Sequence, residues 1–78
     1  MSTTRFVFTG QIVPQSFEEF ARHRARRLDL TIEMGSADID RTTMTVSGAD
    51  ALVDMFEMAC SLGPYDCIIH DIQRQDAF

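Results

Sequence analysis

Apolar and polar positions fall into six successive patterned stretches along the chain. Arg5-Phe6-Val7-Phe8-Thr9 is aromatic and β-branched and stops at Gly10, which predicts a strand. Gln11-Ile12-Val13-Pro14-Gln15 reads as a loop. Ser16, with Glu19 three residues later, predicts a capped helix start in which each side chain satisfies a free backbone N–H. Phe17, Phe20, Ala21, Ala25 and Leu28 then share one helical face, with Glu18, Arg22 and Arg26 opposite. Leu30 to Met34 alternates as a second strand, 35–41 is turn-like, and Thr42 to Val46 alternates as a third strand paired with the second. Ser47 and Gly48 open a second helix whose stripe is Leu52, Met55, Phe56 and Ala59, with Met55 filling the core. Gly63-Pro64 stops that helix, and Cys67 to Ile72 is the last strand.

Strand, helix, strand, strand, helix, strand predicts an α+β fold. Each helix has one apolar stripe, so both are expected on a single face of a four-stranded antiparallel sheet. That arrangement is the ferredoxin-like βαββαβ sandwich. At 78 residues, the chain 1–78 is expected to form a single domain.

Charge and composition narrow the functional classes. A net charge of −5 argues against nucleic-acid binding through a broad basic surface. No apolar run approaches the ~18 residues of a membrane span. Met1 to Arg5 leads straight into a strand-like run without the apolar core of a signal peptide, so a cytoplasmic protein is expected. Cys60 and Cys67 form no CxxC pair and have no ligand-spaced histidines, so no metal is expected and both read as buried, reduced thiols. Asp38 and Asp40 read as turn residues. All seven basic residues are arginines, and Arg22, Arg26 and Arg27 form either a solvated helix face or a face for an anion or acidic partner.

The stretch from Gly10 to Phe17 resembles the acylphosphatase loop, G-x-V-Q-G-V-x-F-R. Ala25-Arg26-Arg27-Leu28-Asp29-Leu30-Thr31 is similar to the family's A-x-x-L-G-L-x-G. Gly48 matches a family glycine before the second helix, and Leu62-Gly63-Pro64 its later G-P. The resemblance implies an acylphosphatase-like sandwich and a cofactor-free site for acyl phosphates. There, loop N–H groups and a helix N-terminus hold the phosphate, an Arg grips it and an Asn orients water. The phosphate-loop equivalents are Gln11, Ile12, Val13, Pro14, Gln15 and Ser16.

The substrate-facing part of the pattern is eroded. Glu18 stands at the Arg position and Ser36 at the Asn position, so no catalytic residue is expected. Like charges about 4 Å apart near a surface repel by on the order of 4 kcal/mol, so Glu18 opposes a phosphate. Pro14 replaces a loop glycine and brings no N–H. The chain also stops soon after its fourth strand, where the family has a fifth, which leaves a sheet edge open to a partner, including a second copy. The expected function is a non-enzymatic module binding a protein or small molecule. The alternatives are an acylphosphatase using Arg5 or Arg41 with Ser36, and a ferredoxin-like regulatory module that binds a small ligand.

Overall fold

The structure, a computed structural model, describes residues 2–77. Its elements are β1 (Ser2–Gln11), α1 (Pro14–Arg27), β2 (Thr31–Ala37), β3 (Arg41–Gly48), α2 (Asp50–Leu62) and β4 (Ile68–Ala77). The strands form one antiparallel sheet in the order β2-β3-β1-β4. This is the expected βαββαβ sandwich. Each strand runs beyond the stretch its pattern marks, because pairing carries polar residues such as Ser2, Thr3 and Thr4 into the ladder.

Alternation along β1 sets the layers. Phe6 and Phe8 point under the helices and are fully buried, while Arg5 on the other face is exposed. Phe8 stacks near Phe6 (5.6 Å) and meets Phe17 of α1 edge-on (5.1 Å); Phe6 tilts against Phe56 of α2 (5.9 Å). Met44 and Val46 of β3 complete the core with Val53, Ala21 and Ala25. Each fully buried phenylalanine contributes about 1.5–3 kcal/mol.

Three local expectations need correction. α1 starts at Pro14, not Ser16: proline's fixed φ and missing N–H suit the first helical position, so Ser16 lies inside the first turn and no Ser16–Glu19 capping box forms. α2 starts at Asp50, because Ser47 and Gly48 belong to β3. Its buried face is Val53, Phe56 and Cys60; Met55 is 53% exposed rather than core. Nearly the whole run 51–56 is apolar, so the stripe can be phased in two ways, and contact with the sheet selects Val53.

The helix ends follow local chemistry. After α1 the chain turns at Asp29, whose φ of 56° is left-handed. Asp29 N–H donates to Arg26 O (3.2 Å) and Leu30 N–H to Ala25 O (2.8 Å), the paired bonds of a Schellman motif. Gly63 closes α2 with a φ of 65°, as its place before Pro64 predicts.

Candidate functional site

The segment from Gly10 to Ser16 is built around one close approach. Gly10 has a φ of 155°, and a Cβ there would collide with the carbonyl oxygen of Ile68. The β1–β4 register shifts at this point, between Thr9 and Gly10, and the chain leaves the sheet toward α1.

Three N–H groups of this segment are engaged inside the protein. Gly10 N–H donates to Asp40 O (3.1 Å) and Ile12 N–H to Ile39 O (2.8 Å), both in the β2–β3 turn. Val13 N–H donates to Cys67 Sγ (3.3 Å). Pro14 has none to give. In the first turn of α1, the Ser16 hydroxyl donates to Asp66 Oδ1 (2.8 Å). A carboxylate of the protein thus sits where the helix N-terminus favours negative charge.

Beside this segment lies a cleft of about 460 Å³ lined by Gly10, Gln11, Ile12, Val13, Ile39, Asp40 and Asp66. Its charged side chains are two carboxylates, and no basic side chain lines it. Cys67 lies beneath it, 5% exposed. Burial pushes the Cys67 thiol up, the Val13 N–H opposes this, and the neighbouring Asp66 carboxylate adds to it.

Glu18 and Ser36 are each engaged locally. Glu18 accepts from Arg22 Nε (2.9 Å), one turn on, a surface pair worth about 0.3–0.5 kcal/mol. Ser36 lies in a bulge of β2, where Gly35 and Ser36 together face Thr43. Ser36 N–H donates to Thr43 Oγ1 (2.8 Å), and the two hydroxyls are 3.5 Å apart.

The arginines disperse. Arg5 and Arg41 line a groove of about 240 Å³ with Gln73 and Gln75, on the sheet face away from the helices. Neither lines the cleft beside Gly10. Arg22 and Arg26 border a groove with Asp29, Leu30 and Ile32, and Arg27 is not part of it. Arg24 folds over the Phe20 ring, 5.2 Å from its centroid.

Sequence reasoning missed the densest ionic cluster. Arg74 of β4 donates to Asp54 (2.6 Å), Glu57 (3.0 Å) and Asp76 (3.0 Å), and its guanidinium covers the Phe6 ring at 5.7 Å. Bonds to Asp54 and then Asp76 raise the guanidinium further above its usual value. Asp76 is held below the ordinary carboxylate value by Arg74 first and then by the Thr4 hydroxyl, which donates to it at 3.1 Å. The cluster fastens β4 to α2. Among the described residues, no three His, Cys, Asp or Glu side chains are grouped to hold a metal, and no helix is long and apolar enough to cross a membrane.

No protein-family model matches the chain, and no curated protein does. Solved structures do. An acylphosphatase from Bacillus subtilis superposes with a TM-score of 0.90 at 19% identity, covering 99% of this chain and 86% of that one. An acylphosphatase from Coxiella burnetii gives 0.89 at 14% identity, covering 99% and 81%. Full-length HypF in its phosphate- and nucleotide-bound form gives 0.78 at 15% identity, with 97% of this chain lying on 10% of that one. The chain is acylphosphatase-like in fold.

Proposed function

We propose that residues 1–78 form an acylphosphatase-like domain that has lost acyl-phosphate hydrolysis and works by binding a partner. One observation carries this proposal. Three loop amides, Gly10, Ile12 and Val13, donate to the β2–β3 turn and to Cys67, Pro14 has no N–H, and the Asp66 carboxylate sits beside the start of α1 on the Ser16 hydroxyl. A phosphate entering here would meet the Asp40 and Asp66 carboxylates. Glu18 at the family's Arg position adds a third negative charge near that helix start and is already paired with Arg22. Negative charge developing in a transition state would meet these carboxylates, and no arginine lines the cleft. An enzyme relying on Arg5 or Arg41 is disfavoured, because both line the far face of the sheet.

The test is hydrolysis of acetyl phosphate and benzoyl phosphate by the purified chain. The rate should equal that of buffer. Turnover well above buffer would sink the proposal.

A further inference from the structure

We infer that the loop end of the fold docks a peptide segment carrying apolar anchors and basic side chains. This rests on the proposal that the same end no longer serves phosphate, and it names the class of partner. Three stretches of chain bring large exposed apolar residues to this end: Val13 (43% exposed) before α1, Ile39 (75%) in the β2–β3 turn, and Leu62 (81%), Tyr65 (fully exposed) and Ile68 (53%) around the α2–β4 connection. Among the described residues, the other large exposed apolar side chains are Met55 and Met58, on the outer side of α2. Water-exposed apolar groups gathered at one end are costly unless something covers them.

Charge selects the occupant. The cleft within this end is lined by the Asp40 and Asp66 carboxylates and by no basic group. Asp66 is held by Ser16, and Asp40 is fixed through its carbonyl by the Gly10 N–H. The Asp66 carboxylate and the Asp40 backbone are therefore placed before any partner arrives, which lowers the entropy lost on binding. A small anion is repelled. A lone cation would leave Val13 and Ile39 uncovered. An apolar segment with Arg or Lys side chains meets both demands, because its side chains fill the space between Val13 and Ile39 while its charges face the carboxylates. A cleft of about 460 Å³ is large enough for such side chains.

The probe is a fluorescent synthetic peptide of alternating leucine and arginine, titrated into the intact chain, with a leucine–glutamate peptide as control. Saturable binding of the arginine peptide alone is expected. Ile39→Ser combined with Asp40→Asn should weaken it about tenfold, as loss of an anchor and a surface charge pair predicts. Glu33→Gln, on the open sheet face, should leave it unchanged. Amide chemical-shift changes should centre on Val13, Ile39, Tyr65 and Ile68. The inference is overturned by absent saturation, by equal binding of the Ile39/Asp40 variant, or by shifts centred on α1 or the open sheet face. Concentration-dependent self-association that blocks the peptide would make a second copy the occupant and overturn it too. Acyl-phosphate turnover is measured separately, and its appearance would remove the loss-of-catalysis proposal without altering the peptide result.

Discussion

Ser16 and Asp66 lie fifty positions apart in the chain and share a 2.8 Å hydrogen bond at the start of α1. The bond sets one of the protein's own carboxylates beside the helix N-terminus. Helix starts attract anions through unpaired N–H groups and the aligned peptide dipoles. Here Asp66 uses that field, while Val13 N–H and Ile12 N–H are already engaged.

Restoring two side chains should therefore not restore catalysis. Glu18→Arg with Ser36→Asn is expected to leave acyl-phosphate hydrolysis at the buffer rate, because Pro14 still lacks an N–H and Asp66 still holds its place. Clear turnover by this double variant would mean that the loop backbone can rearrange around a phosphate.

Asp29 occupies a left-handed conformation that costs less for glycine. Asp29→Gly should stabilise the fold by about 0.5–1 kcal/mol, an upward shift of roughly 2–8 °C in Tm for a chain of this size. A lower melting temperature would show that the aspartate contributes something beyond its backbone angle.

Thr42 is buried, and among the described residues its hydroxyl finds no hydrogen-bond partner. Thr42→Val keeps the shape and removes the orphaned group. Denaturant unfolding should show a gain of about 1 kcal/mol. A loss of stability would imply that the hydroxyl is satisfied in solution.

The Arg74 cluster predicts an acid limb in the stability profile. Arg74 first, and then the Thr4 hydroxyl, hold the folded Asp76 carboxyl below its ordinary value. Its contribution is present above that value and is lost as pH falls through the lower, folded one. Asp76→Asn should flatten the decline in unfolding free energy below about pH 4. Arg74→Ala should cost about 1–2 kcal/mol at neutral pH, less at high salt, because it removes three ion pairs and the cover over Phe6. An identical acid limb in wild type and Asp76→Asn would refute the assignment.

Cys60 gives the alkaline counterpart. Burial, only partly offset by Arg24, pushes its thiol up to about 12 from 9.0. The unfolded thiol ionises first, so stability should fall as pH rises above 9, by at most about 1.4 kcal/mol per unit from this group. Cys60→Ala should reduce that slope, leaving the smaller share of Cys67. In the native protein, thiol reagents should modify Cys60 only as fast as the fold opens; rapid labelling would contradict its complete burial.

The sheet and its order of elements were legible because Phe6, Val7 and Phe8 form an aromatic, β-branched run that stops at Gly10 and because Gly63-Pro64 punctuates the chain. The face of α2 was not, since Leu52, Val53, Met55 and Phe56 are all apolar and only contact with β3 and β4 decides among them. The erosion of the phosphate loop showed at Glu18 and Pro14. Its completion did not, because the Ser16–Asp66 and Val13–Cys67 contacts join residues with no spacing rule between them. Arg74 escaped for the same reason: its carboxylate partners on α2 lie 17 and 20 positions away.

β1 lies in the middle of the sheet but comes first in the chain, and its two neighbours are β3 and β4. As the polypeptide leaves the ribosome, Phe6 and Phe8 emerge more than sixty residues before Arg74 and Ile72, their partners across the strand. β4 must be synthesised before the central strand is enclosed on both sides. Until then an aromatic, β-branched stretch is open to other nascent chains, and closing such distant pairs is slow. The sheet order therefore assigns the period of greatest aggregation risk to translation.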